Sequence, residues 1–238
     1  MNHHIDPNQL VGVWSRKSIR WQHGSEDKST QVWWIQARPH FGDIRIPPNR
    51  PSFAGIHSLQ ECDAPQKAWL NRQQGFAGTL VKESEAWVWQ REINYPGPTT
   101  KRDIGRLRFT DPDCKIMIED GVEEPYTEIW QRIDDAASTA GQALVLKLDE
   151  VDDKGLLVAI GDHFIFATIF SQCVEISHGV RKGPMSDWLI SHSTDPWREG
   201  KRLFNGSKTV IDRDRRTLIE SKTWTIAEPA AGSLHWVT

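Results

Sequence analysis

The sequence predicts an all-β protein, mainly antiparallel, with one short helix and two consecutive β-rich halves. Two observations carry that expectation. Short runs with apolar and polar side chains in alternation recur along the chain, separated by turns rich in Gly, Pro, Asn and Asp. Twelve tryptophans stand against two tyrosines, and most of them fall inside those runs, so indole must pack within sheets, where it needs both burial and a partner for its N–H.

The first strand opens at Leu10–Trp14 and continues through Ser18–Gln22 to a turn at His23–Asp27, which leads as a hairpin into Thr30–Arg38. Asp43–Ile46 forms the next strand, ended by Pro47 and Pro48, which have no amide to donate to a sheet. The one helix follows. Asp63 caps it, Pro65 sits in its first turn, Gln66 completes a capping box and Gly75 is placed to end it, with Trp69 turned onto the sheets. Strands resume at Phe76–Lys82, Glu85–Ile93, Gly105–Thr110, Lys115–Glu119 and Thr127–Ile133.

The small, polar run Asp134–Gly141 reads as a linker, dividing the chain into a first domain over residues 8–134 and a second β-rich half over 142–228. In the second half, Leu144–Leu148, Gly155–Ile160 and His163–Phe170 are strands, the last two joined by a Gly161-Asp162 turn. Both faces of that hairpin are apolar, which places it between layers or against the first half. Further strands are expected at Cys173–Ser177, Trp188–Ser193, Thr209–Asp212 and Arg216–Ile226; the tail beyond has little pattern. Glu128-Ile129-Trp130 near the end of one half and Glu220 to Trp224 near the end of the other hint that the second half is itself a barrel.

A net charge of −3 is spread evenly over both halves, which argues against nucleic acid or an anionic membrane as partner. Cys62, Cys114 and Cys173 lie far apart and form no paired motif, the pattern of a reduced, cytoplasmic protein. The first residues show no basic segment followed by an apolar core, and no apolar run is long enough to span a bilayer. These features leave room for a homodimer.

Read with a period of two, Val32, Trp34, Gln36 and Arg38 share one face of a strand while Trp33, Ile35 and Ala37 share the other. Indole on both faces implies cover on both sides. The first face adds an amide and a guanidinium, the composition of a cavity wall that orients a ligand. Trp87, Trp89 and Arg91 repeat the theme on another strand, with Val88, Gln90 and Glu92 opposite. Arg38, Arg45, Arg91 and Arg106 with Asp43, Glu92, Asp103 and Glu128 are suited to ion pairs closing a barrel end. If one arginine instead stays unpaired inside, it would hold a carboxylate or carbonyl in bidentate fashion against a wall of Trp34 and Trp89.

Other chemistries find less in the sequence. His163, His178 and His192 are widely separated, and the chain has no His-x-His, no HExxH and no Cys/His cluster, so no metal is expected, although folding could bring three histidines together. No phosphate-binding glycine loop is present, and no cofactor is expected. Ser191-His192-Ser193-Thr194-Asp195 holds the residue types of a catalytic triad, but neighbours on one strand point to opposite faces and cannot meet.

Trp34-x-Gln36, Asp43-x-Arg45-x-Pro47, Gln74–Gly78, Trp89–Ile93, Asp103–Leu107 and Tyr126–Trp130 together resemble an uncharacterised bacterial family of lipocalin-like, calycin-type β-barrel proteins, over about residues 10–133. Gly12-Val13-Trp14 is similar to the opening of lipocalins, where the Trp closes the barrel floor. The resemblance implies a barrel with an internal cavity and supplies no reaction. From the residues, the expected function is binding of a small apolar or aromatic ligand bearing a polar or anionic group, with Trp34, Gln36, Arg38, Arg45, Trp87, Trp89 and Arg91 as its contacts. The alternatives are a cofactor-independent barrel enzyme, a lyase, isomerase or cyclase in which Asp43, Glu92 or His192 moves a proton, and an interaction module with filled barrels.

Overall fold

The computed structural model describes residues 5–133, 143–181, 188–203, 216–219 and 222–229. A single-turn helix, α1 (Pro7–Leu10), precedes β1 (Gly12–Trp21), β2 (Glu26–Asp27), β3 (Gln31–Gln36) and β4 (His40–Ile46). Helix α2 (Ala64–Leu70) leads to β5 (Gln74–Glu83), β6 (Ala86–Tyr95), β7 (Asp103–Phe109), β8 (Ile116–Gly121) and β9 (Tyr126–Arg132). The second half holds β10 (Ala143–Asp149), β11 (Lys154–Ile160), β12 (His163–Phe170), β13 (Cys173–Arg181), β14 (Trp188–Ser193), β15 (Arg216–Ile219) and β16 (Lys222–Pro229).

Strands β1 and β3 to β9 run up and down in sequence order, and β9 pairs back onto β1 from Trp14↔Arg132 to Trp21↔Tyr126, closing an eight-stranded antiparallel barrel. Two register shifts set which side chains enter it. One falls between Arg16 and Ser18 on β1, so Arg16 faces in before it and Ile19 and Trp21 after it. The other makes Glu92 the extra residue between the pairs Gly78↔Arg91 and Ala77↔Ile93. Arg91 and Asn94 are thereby both turned inward, while the strand twists more sharply.

The second half is a seven-stranded antiparallel sheet in the order β14-β13-β12-β11-β10-β16-β15, whose end strands do not pair with each other among the described residues, so it is not a second barrel there. Its strands are apolar on both faces, as the sequence predicts. One face, with Val145, Leu156, Val158, Ile165, Ala167 and Ile176, packs on Val13, Ile35, Ile44, Ala77 and Ile93 of the barrel's outer wall. The other face builds a separate core around Leu146, Leu157, Phe164, Phe166, Trp188 and Trp224. Close approach of the two halves depends on glycine. A Cβ on Gly42 would lie 2.6 Å from Ile165 Cγ2, and one on Gly75 2.9 Å from Ile176 Cδ1.

Gly75 therefore does not stop the helix. The capping box is as expected, with the Gln66 amide donating to Asp63 Oδ1 and the Asp63 amide to Gln66 Oε1, each at 2.8 Å. The helix ends earlier, at Leu70, and Gly75 lies within β5 to make room for Ile176. The short α1 carries its own capping box at Asp6 and Gln9 and is a second helix beside the one expected; it ends at Leu10, where the first strand was expected to open. The expected linker at 134–141 and the strand at 209–212 lie outside the described residues.

Candidate functional site

The barrel is filled at one end and hollow at the other. At the filled end Trp14 is fully buried, its indole N–H donating to the Leu10 carbonyl at 2.8 Å. The Arg132 guanidinium lies 4.2 Å above that ring and donates to the carbonyls of Gln9, Val11 and Cys114. Gly12, at φ 152°, is the residue that permits this plug, because a Cβ there would meet Arg132 Nη1. Trp34 sits above it, 5.4 Å from Trp130 and 5.7 Å from Trp89 in edge-on contacts. Phe41, Leu80, Trp87 and Met117 complete this packed layer.

Above the indoles the interior becomes charged. Arg16 Nη1 donates to Glu128 Oε1 at 2.7 Å and Nη2 reaches Asp27 at 3.5 Å. Arg45 Nε donates to Asp43 Oδ1 at 2.9 Å, and its Nη1 lies 3.5 Å from Glu128. Glu128 thus joins two arginines. On the opposite wall Arg91 donates to Asp103 through Nη2 at 2.5 Å and to Asn94 through Nη1 at 3.1 Å. Its guanidinium carbon is 3.6 Å from the centre of the Phe76 ring, and that of Arg45 is 5.0 Å from the same ring. Glu119 accepts from the Tyr126 hydroxyl at 2.6 Å and from the Trp130 indole at 3.1 Å.

Burial raises the proton affinity of two of these carboxylates. Glu119 is pushed well above the ordinary carboxylate range, first by desolvation and then by Glu128 and Asp103. Desolvation raises Asp43 as well, against the opposing pull of Arg45. The Tyr126 hydroxyl is raised by burial and by Glu119, so it stays protonated and serves as a donor.

This network forms the floor and walls of a cavity of about 900 Å³ at the open end of the barrel. Arg16, Arg45, Arg91, Asp103, Tyr126 and Glu128 line its interior, with Phe76, Tyr95, Trp21 and Ile19 as the apolar part. Arg72, Lys101 and Arg102 stand at the rim. Trp21 and Glu124 also border a second cleft of about 440 Å³ with His23 and Pro125.

Period-two reading of β3 and β6 assigns the faces as found: Trp34 and Gln36, Trp87, Trp89 and Arg91 point inward, and Trp33, Ile35 and Ala37 outward against the second sheet. Depth along the barrel separates them further. Arg45 and Arg91 line the cavity, whereas Trp34, Trp87, Trp89 and Gln36 lie in the packed layer beneath it. Gln36 is occupied there, accepting from the Trp34 indole at 3.2 Å and donating to the carbonyls of Ala37, Pro39 and His40. Arg38 and Arg106 are exposed outside the barrel. The picture of one unpaired arginine inside is corrected: Arg16, Arg45 and Arg91 each engage a carboxylate.

The three candidates for proton transfer are dispersed. Asp43 is buried against Arg45 and does not line the cavity. Glu92 is exposed on the outer wall, on the face opposite Arg91 that alternation assigns it, and pairs with Lys147 of the second half at 2.9 Å. His192 lies between the halves, its ring 4.2 Å from that of Trp33 and tilted 30° to it. Ser191 and Asp195 flank it on a strand end without forming a triad. Arg16, Glu119 and Tyr126 belong to the network and were not singled out from sequence, since Arg16 falls between the two stretches Leu10–Trp14 and Ser18–Gln22 that mark the first strand and Glu119 lies in a plain strand. Among the described residues no cluster could hold a metal ion, and no helix is long and apolar enough to cross a membrane.

A closed up-and-down barrel with a tryptophan-packed floor and a charged open end, backed by a second sheet, defines a lipocalin-like barrel protein with an added β half. The chain belongs to the HRI1 family, whose model, described as Protein HRI1, matches residues 12–169. An uncharacterized protein of Saccharomyces cerevisiae has a similar solved structure, with a TM-score of 0.62 at 13% identity over 92% of this chain and 98% of that one. The match is therefore not confined to a bacterial group, as the sequence resemblance had suggested. A lipocalin-like protein from Bacteroides uniformis aligns with a TM-score of 0.33 at 12% identity, over 52% of this chain and 99% of that one. No curated protein matches the sequence.

Proposed function

We propose that this protein binds a small molecule in the charged cavity at the open end of its barrel. The observation that carries this reading is the cavity itself, about 900 Å³, which is within the size range of small-molecule sites. Its inner wall is polar yet rigid, because Arg16, Arg45 and Arg91 are held by carboxylates and the last two also by the Phe76 ring. The fitting ligand has a flat, partly apolar body that lies against Phe76, Tyr95 and Trp21. It also carries a polar or anionic group that shares the Arg45 and Arg91 forks with their carboxylates. Trp34 and Trp89 support this wall from below without touching the ligand.

Retention of a small molecule from the expression host, read by denaturing mass spectrometry, and titration of candidates against tryptophan fluorescence test the proposal. Arg91→Met should weaken binding at least tenfold. An unchanged affinity in a folded Arg91→Met protein, or no saturable ligand in either assay, would count against this site. The enzymatic reading has less support, because Asp43, Glu92 and His192 lie outside the cavity wall.

A further inference from the structure

Another cluster, independent of the cavity, lies on the far side of the barrel wall. His163 on β12, His178 on β13 and His192 on β14 stand side by side on the face of the second sheet that meets the barrel, with His178 directly opposite His192 in the strand register. Their rings form a row, with centroids 5.6 Å apart from His163 to His178 and 5.8 Å from His178 to His192, and planes within 28° of parallel. Trp33, on the outer face of β3, lies against two of them, 4.8 Å from His178 and 4.2 Å from His192. An indole from one half of the molecule is thus packed against two imidazoles from the other, stacked on His178 and tilted 30° to His192.

The row has almost no provision for charge. His178 is only 2% exposed, and its Nε2 meets His163 Nδ1 at 3.3 Å. The Nδ1 atoms of His178 and His192 are buried and find no hydrogen-bond partner among the described residues. From β12 and β14 the ionisable groups bearing on His178 are His163 and His192, and from β3 it meets the uncharged Trp33. His192 is influenced by Glu199 and Arg50, which have opposite signs and pair with each other at 2.8 Å. Among the described residues no carboxylate stands beside His178 to receive an imidazolium. A charged His192 would gain attraction from the Trp33 face, but a proton on His178 must be buried beside two groups of its own kind, and that desolvation is the larger effect.

We propose that the His163–His178–His192 row stacked on Trp33 is an acid-responsive latch between the barrel and the second sheet. Uncharged, the row packs against the indole through His178 and His192 and holds the halves together; protonated, it places like charges next to each other in an apolar seam and loosens the docking. The sign follows from burial, which, with the neighbouring histidines, holds His178 below the ordinary imidazole range, while burial likewise lowers His192. The latch is therefore fully closed above the unfolded value of about 6.5 and is progressively released as pH falls below it.

The test uses the full chain. Amide hydrogen exchange in β3 and β13 at about pH 7.5 and about pH 5.5, corrected for the intrinsic pH dependence of exchange, should show protection falling at least tenfold at the acid end. In His178→Phe, which keeps the stacking but cannot titrate, that loss should shrink to less than threefold. Imidazole NMR of the wild type should show His178 still neutral at about pH 6. The latch is overturned if His178 titrates at or above about 6.5, or if a folded His178→Phe keeps the full acid response. Should His178→Phe not fold, the wild-type titration alone decides.

Discussion

The Arg91 guanidinium lies flat on the Phe76 ring, 3.6 Å from its centre, while two of its nitrogens hold Asp103 and a third donates to Asn94. Phe76 is on β5 and Asp103 on β7, so one side chain of β6 ties together three strands at the cavity wall. Arg91→Met keeps the apolar contact with Phe76 but abandons Asp103. The expected result is a folded protein about 2 kcal/mol less stable, the worth of charged hydrogen bonds at a partly buried site, and ligand affinity reduced at least tenfold. Urea denaturation and fluorescence titration measure the two effects separately.

Arg16 should matter more for stability than Arg91. Its side chain is 5% exposed and that of its partner Glu128 2%, against 24% and 15% for Arg91 and Asp103. Arg16→Met leaves Glu128 buried with only the longer contact to Arg45, at a cost of about 3–5 kcal/mol. A loss in urea no larger than that of Arg91→Met would show that Glu128 is rescued by Arg45 alone.

Glu119 gives a pH signature. Its folded affinity for a proton is raised by burial, so the native state binds more protons than the unfolded chain. Its contribution to stability is present below the unfolded value of about 4.3 and is lost as pH rises through the folded one. Glu119→Gln, which keeps a neutral group facing Tyr126 and Trp130, should flatten this dependence. The check is the slope of unfolding free energy against pH from about 5 to 9; equal slopes in both proteins would remove Glu119 as its source.

The seam between the halves should be sensitive to single methyl groups. Gly42→Ala pushes a Cβ to 2.6 Å from Ile165 Cγ2, and Gly75→Ala pushes one to 2.9 Å from Ile176 Cδ1 and 3.0 Å from the Asp43 carbonyl. Each should cost about 1–3 kcal/mol through overpacking, seen as a lower thermal midpoint. Shortening the facing residue, as in Gly42→Ala with Ile165→Val, should recover part of the loss, whereas purely additive losses would place the strain elsewhere.

The strands were legible because their signals are local. Alternation in Val32–Ala37 and Trp87–Arg91 fixes which side chains share a face, and both faces of β3 are indeed covered, Trp34 by the barrel core and Trp33 by His178 and His192. The capping box at Asp63 and Gln66 is likewise local. Gly75 misled because a glycine that ends a helix and one that admits a neighbour's side chain look the same in sequence.

The candidate site was legible only in part. Alternation gives the face of Arg91 but not its height along the barrel axis, and that height separates the cavity-lining Arg45 and Arg91 from the packed Trp34, Trp87 and Trp89. The bulge after Arg16 on β1 and the one at Glu92 on β6 shift parity along their strands, so alternation alone does not place Ile19, Trp21 and Asn94 on the inner face.

By itself the sequence determined the antiparallel strands, the inward and outward faces of β3 and β6, and an indole-rich core, since these depend on neighbours within a few residues. Tertiary structure alone decided that β9 closes on β1, that Arg16, Arg45 and Arg91 each find a carboxylate, and that three distant histidines line up in a row, two of them against Trp33. Those pairings join segments far apart in the chain, and they are fixed by strand register and burial once the two halves pack, which no local pattern encodes.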